Sequence, residues 1–193
     1  MNKLNIGVLS LQGAVREHIQ MIENSGAHGV SIKKPHELSK IDALIIPGGE
    51  STVIGKLMAK YGFDDAIKEL YKDGMPIYGT CAGLILLAQK VVGGNKYTLG
   101  LMNIEVRRNA FGRQKESFEA DLEIPGIGKN PFTGIFIRAP WIELIGKDVH
   151  VMAKFKGKIV MAQEGRLLVT AFHPELTGDK RIHDYFIEMV KKS

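Results

Sequence analysis

The single cysteine of the sequence lies at the centre of a glycine-flanked turn. Cys81 occupies the segment Gly79-Thr80-Cys81-Ala82-Gly83, between an apolar run at 76–80 and a helical pattern at 84–92. A cysteine at a tight strand-to-helix turn can act as a nucleophile, because the N-terminus of the helix stabilises its thiolate. Glycines on both sides let the strand and the helix pass closely, and the amide of Ala82 can face an oxyanion. The spacing favours a nucleophilic cysteine over the alternative, a buried structural cysteine.

A cysteine nucleophile requires an imidazole, and the imidazole requires a group that orients it. Of the six histidines, His173 has a carboxylate two residues later, Glu175, and it follows an apolar run at 167–172. This places it at the carboxyl edge of a predicted strand, where open α/β sheets bind their ligands. Pro174 fixes the backbone so that Glu175 can turn back toward the ring. The pattern predicts that Cys81, His173 and Glu175 act together.

The segment Pro47-Gly48-Gly49-Glu50-Ser51 forms a further strand-to-helix turn at the same predicted edge. Paired glycines let backbone amides face an anionic centre, and Glu50 or Ser51 can cap the next helix. Neither of the phosphate-binding patterns, G-x-x-x-x-G-K-[ST] and G-x-G-x-x-G, occurs at a suitable place. An ordinary glycine-rich turn remains the alternative for this segment.

Four basic residues fall within nine positions of the sequence: Arg107, Arg108, Arg113 and Lys115. The net charge of +5, from 26 basic and 21 acidic residues, is too small to indicate a nucleic-acid partner. A guanidinium that pairs with a carboxylate ligand is the more economical role, since arginine binds carboxylates through two hydrogen bonds. Arg138, at the end of another predicted strand, fits the same role. Structural ion pairs are the alternative for each arginine.

The composition of the 193 residues is that of an ordinary globular protein, with 45% hydrophobic and 24% charged residues. One cysteine excludes an internal disulfide framework and a multi-cysteine zinc site. No apolar run approaches the roughly 18 residues that a membrane span needs, and the N-terminus lacks the pattern of a signal peptide. No linker or repeat divides the chain. We therefore expect one cytoplasmic domain, residues 1–193, with no membrane partner.

Strand and helix patterns alternate up to about residue 92, which predicts βαβ units and a parallel sheet. The predicted strands there cover 4–10, 30–33, 43–47 and 76–80, and the helices cover 14–24, 51 onward, 64–72 and 84–92. Later strands are predicted in hairpin-like order at 118–124, 132–137, 149–155, 158–163 and 167–172, before a last helix at 179–191. We expect a three-layer α/β/α, flavodoxin-like domain with a mixed, mainly parallel central sheet. His18 is expected at the surface or at an interface on the first helix, and His183 on the surface of the last helix.

Taken together, the segments at 47–51, 79–83 and 173–175 resemble the triad class (class I) of glutamine amidotransferases. Further blocks resemble one family within that class, the glutaminase subunits of pyridoxal 5′-phosphate synthase. These blocks are Leu-Gln-Gly-Ala-Val-Arg-Glu-His at 11–18, Arg-Asn-x-Phe-Gly-Arg-Gln at 108–114, Ser-Phe-Glu-Ala at 117–120 and Phe-Ile-Arg-Ala-Pro at 136–140. They occur in order from residue 11 to residue 175, so the resemblance covers essentially the whole chain.

The resemblance implies a role for individual residues. It implies that Cys81 is the nucleophile and that His173 and Glu175 complete a catalytic triad. It implies that the glutamine-binding residues are Gly49, Glu50, Ser51, Arg108, Ile137 and Arg138. It implies an oxyanion hole formed by the amides of Gly49 and Ala82, and it requires no metal or other cofactor. Arg107 lies beside Arg108, so the sequence leaves open which of these arginines faces the substrate.

The resemblance also implies a reaction and a partner. L-glutamine is hydrolysed to L-glutamate and ammonia through a glutamyl thioester. The ammonia passes to a synthase subunit, a (β/α)₈ barrel in a hetero-oligomer, which makes pyridoxal 5′-phosphate from a pentose phosphate and a triose phosphate. The segment 11–18 is the candidate docking and activating segment, with an ordinary amphipathic helix as the alternative. Two other classes remain open: a γ-glutamyl peptidase that works without a partner, and a non-catalytic binding module.

Overall fold

A computed structural model describes residues 3–94, 96–111 and 117–193. The first half of the chain alternates between strands and helices, as predicted. In order, the elements are β1 (Asn5–Leu9), α1 (Val15–Asn24), β2 (His28–Ile32), a 3-10 turn (Pro35–Lys40), β3 (Ala43–Ile46), α2 (Ser51–Tyr61), α3 (Phe63–Lys72), β4 (Ile77–Thr80) and α4 (Ala82–Leu87).

The second half consists mainly of strands and ends in a helix. Its elements are β5 (Ala88–Val91), β6 (Met102–Arg107), β7 (Ser117–Leu122), β8 (Phe132–Ile137), β9 (Trp141–Ile145), β10 (His150–Phe155), β11 (Lys158–Glu164), β12 (Leu167–Thr170), a 3-10 turn (Pro174–Leu176) and α5 (Arg181–Lys191). The strands β6 and β9 were not predicted from the sequence. The helix predicted at 84–92 ends at Leu87, because the following four residues pair with β6 as a strand.

Within the described residues, ten strands form one sheet in the order β2-β1-β3-β4-β12-β11-β9-β6-β5, with β10 paired to β11. The strands from β2 to β12 in this order are parallel, and β11 pairs antiparallel with β12, β10 and β9. The predicted mixed sheet is therefore confirmed. The strands β7 and β8 were expected to extend it, but they form a separate two-stranded antiparallel sheet.

Helices cover both faces of the parallel half of the sheet. The connection through α1 moves from β1 outward to β2, whereas the connection through α2 and α3 moves from β3 in the other direction to β4. Since such crossovers are right-handed, the two connections lie on opposite faces of the sheet. The strands β3, β4 and β12 are buried along their whole length, as expected of strands covered on both faces. Among the described residues, no helix is both long and apolar enough to cross a bilayer.

The parallel half of the sheet brings four loops to one edge. The strands β1, β3, β4 and β12 are neighbours with the same direction, so the segments that follow them meet at their carboxyl ends. Those segments contain Gln12, Gly49, Cys81 and His173. The carboxyl edge of a parallel sheet is the usual position of a ligand site in this architecture.

Candidate active site

Cys81 lies at the tip of a strained turn between β4 and α4. Its φ is +48°, a left-handed conformation that is uncommon for a residue with a side chain. The turn is held by two backbone hydrogen bonds: the Cys81 N–H donates to the Thr170 carbonyl at 2.8 Å, and the Ile85 N–H donates to the Cys81 carbonyl at 3.3 Å. The predicted elbow geometry is therefore present in the structure.

The two glycines beside the cysteine are required by close approach. A Cβ atom on Gly79 would lie 2.6 Å from the Gly83 carbonyl carbon, and one on Gly83 would lie 2.1 Å from the Ile46 carbonyl oxygen. Both clashes are with backbone, which cannot move aside as a flexible side chain can. The absence of Cβ atoms at these positions lets α4 lie directly against β4 and β3, and so fixes the direction in which the Cys81 side chain points.

His173 and Glu175 form a buried hydrogen-bonded pair. His173 Nδ1 lies 2.7 Å from Glu175 Oε1. The 3-10 turn Pro174–Leu176 follows His173 directly and turns the chain so that Glu175 comes back to the ring, as the sequence predicted. The His173 N–H donates to the Ile135 carbonyl at 2.8 Å, which ties the start of this turn to β8. Both side chains are thus held by contacts within the chain.

The charges of this pair depend on its surroundings. Burial lowers the pKa of His173, but hydrogen bonding to Cys81 and Glu175, together with their charges, outweighs burial and raises the pKa to about 10. Burial likewise raises the pKa of Glu175, and the facing His18 and His173 more than offset this, so that its pKa lies below its ordinary value. At neutral pH the arrangement therefore favours an imidazolium at His173 and a carboxylate at Glu175.

Gly48 provides the space that the His173 ring occupies. A Cβ atom on Gly48 would lie 2.3 Å from His173 Cε1 and 3.5 Å from the Cβ of Cys81. The glycine turn after β3 therefore packs against both the cysteine and the histidine. Cys81 Sγ also lies 3.9 Å from the Ile137 carbonyl oxygen.

A cavity of about 260 Å³ opens in front of Cys81 and His173. This is below the range of about 300–1,000 Å³ that is usual for drug-sized ligands, so the cavity suits a small metabolite. Its walls carry both signs of charge, with Arg108 and Arg138 as cations and Glu50 as an anion. An amino acid zwitterion matches this distribution of charge.

The residues singled out in the sequence converge on this cavity. It is lined by nine of them: Gly49, Glu50, Ser51, Cys81, Ala82, Arg108, Ile137, Arg138 and His173. Glu175 lies behind His173, outside the cavity. The arginine that faces the cavity is Arg108, since Arg107 Nε instead donates to Glu143 Oε2 at 3.0 Å on the neighbouring strand. Arg113 and Lys115, from the same basic segment, lie outside the described residues.

Capping of α2 by the glycine turn was predicted incorrectly. Glu50 occupies the N-cap position, but its side chain makes no capping hydrogen bond. The backbone N–H of Glu50 instead donates to Oε1 of Gln12, in the loop after β1, at 2.8 Å. Gln12 lines the cavity beside Gly49, so the segment after β1 contributes to the site itself.

Two further features of the cavity wall were not predicted. Asn109 lines the cavity next to Arg108, and both Asn109 and Arg138 have positive φ, at +44° and +42°. These two non-glycine residues hold a strained backbone on the same wall. Positive φ in Asn is a known tendency, so an Asn in a polar segment after a strand was a usable signal.

The positions expected for two histidines were wrong. His18 and His183 are both buried, with 0% and 1% exposure, rather than lying on the surfaces of α1 and α5. His18 Nε2 lies 3.5 Å from Glu175 Oε2, directly behind the pair of His173 and Glu175. Each histidine lies within the apolar stripe of its helix, so its side chain points into the core.

A larger hollow of about 660 Å³ lies on another part of the surface, next to α5 and the turn between β11 and β12. It is shallow and lined by side chains such as Arg166, Asp184 and Glu188. It contains neither Cys81 nor a histidine. Size alone is therefore a poor guide, and the chemistry of the lining residues favours the smaller cavity as the active site.

The chain is similar to known proteins over nearly its whole length. The model of the SNO glutamine amidotransferase family matches residues 8–192. The chain is 54% identical over 187 residues to the pyridoxal 5′-phosphate synthase subunit PdxT of Moorella thermoacetica, covering 97% of this chain and 100% of that one. It is 55% identical over 185 residues to the protein of the same name from Pelotomaculum thermopropionicum, covering 96% and 94%.

A solved structure described as a glutamine amidotransferase superimposes on the chain with a TM-score of 0.92. The two sequences are 44% identical, and the alignment covers 96% of this chain and 98% of the other. The similarity therefore extends to both halves of the fold, including the strands that carry the cavity residues.

Proposed function

The chain belongs to the SNO glutamine amidotransferase family, and on that premise we propose that Cys81, His173 and Glu175 hydrolyse L-glutamine to L-glutamate and ammonia. The observation that carries the assignment is the order of groups at the cavity. Cys81 lies at the strained elbow, His173 beside it, and Glu175 on the far side of the His173 ring. This is the arrangement of nucleophile, acid-base group and orienting group that acyl transfer requires.

The reaction starts from the Cys81 thiolate and the His173 imidazolium. The thiolate attacks the side-chain amide carbon of glutamine, and a C–S bond forms as the carbonyl becomes an oxyanion. His173 donates its Nε2 proton to the leaving nitrogen, the C–N bond breaks and ammonia departs. His173 then takes a proton from water, whose oxygen attacks the thioester carbon. The C–S bond breaks, glutamate leaves and the thiolate is restored.

Glu175 orients His173 throughout this cycle. Its hydrogen bond to Nδ1 keeps the Nδ1 proton in place and leaves Nε2 to exchange protons with the substrate. Backbone amides of Gly49 and Ala82, which line the cavity, form the oxyanion hole. The loss of one such donor typically costs about 3–4 kcal/mol of transition-state stabilisation.

The remaining cavity residues bind the amino acid end of glutamine. Arg108 and Arg138 pair with its α-carboxylate, and Glu50 attracts its α-ammonium group. Ser51 and the exposed part of Ile137 complete the wall. The cavity is small, which favours free glutamine over a γ-glutamyl peptide.

The ammonia passes to a synthase subunit that makes pyridoxal 5′-phosphate. Relatives with more than half of their residues identical are named as subunits of that synthase. Ammonia released into bulk water is protonated and diluted, so a direct transfer between docked subunits fits the chemistry. The synthase partner as a (β/α)₈ barrel, the hetero-oligomer and a cytoplasmic location belong to the same proposal.

The docking segment is the exposed part of 11–18. Leu11 is half-buried and Gln12, Gly13 and Arg16 are exposed, whereas the buried His18 is not available to a partner. The segment adjoins the cavity through the hydrogen bond from the Glu50 N–H to Gln12, so a partner that contacts it would reach the active site. The whole chain, residues 1–193, acts as one glutaminase domain. A continuous core from Ile6 to Val190 supports this.

The test is glutaminase activity titrated with purified synthase subunit, with a γ-glutamyl peptide assayed in parallel. We expect glutamine hydrolysis that rises with added synthase and is abolished in Cys81→Ala. Peptide cleavage that is independent of the synthase would identify a γ-glutamyl peptidase instead. Absence of hydrolysis of either substrate with saturating synthase would indicate a binding module.

The docking segment has its own test. Arg16→Glu should weaken binding of the synthase subunit and reduce stimulation. The control is Gln20→Glu, which adds a negative charge at another exposed position of α1, beyond the segment. Equal synthase binding by both variants and the unchanged chain would contradict the assignment of the docking segment.

A further inference from the structure

A cluster of buried polar side chains surrounds the carboxylate of Glu175, and its other three members have no role in the reaction as described above. Four elements contribute to it: α1 through His18, α5 through His183, β4 through Thr80, and the 3-10 turn through Glu175. His18 Nδ1 lies 3.0 Å from His183 Nε2, and His18 Nε2 lies 3.1 Å from Thr80 Oγ1. All four side chains are buried. Desolvated polar groups of this kind are costly, so their arrangement requires a physical reason.

The second oxygen of Glu175 lies at the centre of this cluster. Oε1 is bound to His173, but Oε2 is buried and has no hydrogen-bond partner within ordinary distance among the described residues. Oε2 lies 3.5 Å from His18 Nε2, at the outer limit of a hydrogen bond. A carboxylate oxygen with a positive or neutral donor beside it is far more stable than one that faces a lone pair. The proton on His18 therefore decides how well Glu175 is held.

Hydrogen bonding determines where that proton lies. If His18 carried it on Nδ1, that atom would donate to His183 Nε2, and the buried His183 Nδ1 would be left as a donor without an acceptor among the described residues. In addition, His18 Nε2 would direct a lone pair at a carboxylate oxygen. If His183 Nε2–H instead donates to His18 Nδ1, His18 carries its proton on Nε2. In that tautomer His183 Nδ1 is an unpaired acceptor, which is a commoner state for a buried group than an unpaired donor, and Thr80 Oγ1 accepts from His18 Nε2 at 3.1 Å. Oε2 of Glu175 then faces an N–H rather than a lone pair, and this contact with a buried charge favours the proton on Nε2.

We propose that His18 is a positioning residue for the proposed glutaminase reaction: its Nε2–H, fixed in that tautomer by His183, holds Oε2 of Glu175. The inference rests on the proposed function, because it assigns a support for the group that orients His173. Glu175 would then be held at both oxygens, by His173 on one side and His18 on the other. A carboxylate held at both ends has one rotamer available, which keeps the His173 ring in a single orientation.

His18 acts as a neutral donor in this arrangement. Burial lowers the pKa of His18, and the nearby His173 lowers it further against the opposing charges of Glu175 and Glu17. Burial also lowers the pKa of His183, to about 3. The ring of Tyr78 packs against both histidines, and its centroid lies 6.3 Å from that of His18 and 6.1 Å from that of His183. The hydroxyl of Tyr78 is directed to Thr170 instead, at 3.0 Å between the two oxygens.

A direct test measures the tautomer in the full chain without substrate. Nitrogen NMR of histidine-labelled protein distinguishes a protonated ring nitrogen from an unprotonated one, and His18→Gln identifies the signals of His18. We expect a neutral His18 with its proton on Nε2. A proton on Nδ1 or a charged His18 would overturn the proposal. Because this readout does not use glutamine, it remains informative even if the chain has no glutaminase activity.

The functional test uses a matched pair of variants. His18→Gln keeps an N–H donor near the position of Nε2, whereas His18→Met has a similar volume and no donor. We expect His18→Met to lower kcat on the order of tenfold, the loss seen when an outer partner of a functional group is removed, while KM for glutamine stays within about twofold. The acid limb of its pH profile should move to higher pH by about one unit, because Glu175 loses a donor to its charged form. His18→Gln should restore both.

Two controls separate positioning from packing. Thr80→Val removes the other hydrogen-bond partner of His18 Nε2, and it should leave the acid limb in place. Ile22→Val deletes a buried methyl group on the same helix and should lower stability by shifting the unfolding midpoint without moving the acid limb. A His18→Met variant with an unmoved acid limb, or a His18→Gln variant no better than His18→Met, would overturn the proposal.

The outcomes for the proposed function are distinct from these. If the proposed function is wrong, the unchanged chain shows no glutaminase activity in the presence of the synthase subunit. If only the present inference is wrong, the unchanged chain is active. In that case either the proton of His18 does not lie on Nε2, or His18→Met and His18→Gln have the same kcat and the same acid limb. If His18→Met does not fold, two measurements still decide the question. One is the tautomer of His18 in the unchanged chain, and the other is His18→Gln, which should keep the activity and the acid limb of the unchanged chain.

Discussion

Arg107 and Arg108 are neighbours in the chain, yet their side chains belong to different surfaces. Arg107 Nε donates to Glu143 Oε2 across two antiparallel strands, at 3.0 Å, whereas Arg108 lines the cavity in front of Cys81. Side chains of consecutive strand residues point to opposite faces, and β6 ends at Arg107, so the next residue enters the loop above the site. This division of roles gives a direct test of how the substrate is bound.

Arg108→Met should raise KM for glutamine. The loss of a charged hydrogen bond to the α-carboxylate is worth about 1.5–3 kcal/mol, which corresponds to an increase in KM of roughly 10-fold to 100-fold. Arg107→Met is the control and should leave KM within about twofold, because its exposed ion pair contributes little. Steady-state kinetics with the synthase subunit present would measure both. Similar increases for the two variants would contradict the assignment of Arg108.

Glu175→Ala should retain a measurable rate where Cys81→Ala retains none. Removal of an orienting acid usually costs about 10⁴-fold in kcat, compared with about 10⁶-fold for the nucleophile. In Glu175→Ala, the His173 ring is still held beside Cys81 by Gly48 and by its backbone bond to Ile135. Kinetics over long incubation would measure the residual rate. Equal losses from both substitutions would show that Glu175 does more than orient the ring.

Gly48→Ala should lower kcat. The added Cβ would lie 2.3 Å from His173 Cε1, so the ring must leave its position beside the sulfur. A displacement of about 1 Å at a reacting group can cost on the order of 100-fold in rate. Gly178→Ala is the matched control, since a Cβ there has no heavy atom within 4 Å. A Gly48→Ala variant with the kcat of Gly178→Ala would contradict this account.

Stability should fall in mild acid because of His183. Burial lowers its pKa in the folded protein to about 3, while the unfolded chain has the ordinary value of 6.5. As pH falls below 6.5, the unfolded state takes up a proton that the folded state does not, so the free energy of unfolding decreases with falling pH down to about pH 3. Between pH 6.5 and pH 5 this amounts to about 1.5 kcal/mol.

His183→Gln lacks this titration but keeps a side-chain N–H near the position of Nε2. Urea unfolding at pH 6.5 and pH 5 should therefore show a smaller loss of stability for the variant than for the unchanged chain. His18 is present in both proteins, and the glutamine keeps an N–H facing its Nδ1. The same loss in both would mean that His183 takes up its proton in the folded state.

The elbow and the pair of His173 and Glu175 could be predicted because their geometry is local. Gly79 and Gly83 lie two residues from Cys81, and the clashes that a Cβ would cause there arise within one strand-to-helix turn and the strand beside it. His173 and Glu175 are joined by a single 3-10 turn that starts at Pro174. Backbone geometry over three to five residues is dictated by residue type, so spacing alone is enough evidence.

The two buried histidines show where local reasoning was incomplete. His18 lies at helical spacing with Val15, Ile19 and Ile22, which is the apolar stripe of α1. His183 stands in the same relation to Phe186, Ile187 and Val190 on α5. The period therefore did place both rings on buried faces. The general preference of histidine for partly exposed positions led to the opposite expectation.

The sequence by itself determined the strained turn at Cys81, the partner that His173 finds in Glu175 and the mixed α/β class of the fold. Each depends on residue types a few positions apart, or on the repeat of apolar residues along one element. Only the tertiary structure decided that Arg108 and not Arg107 faces the cavity, that β7 and β8 leave the central sheet, and that His18 meets Glu175 and His183. These contacts join residues as many as 165 positions apart. The order of strands in the sheet brings such residues together, and no local preference encodes that order.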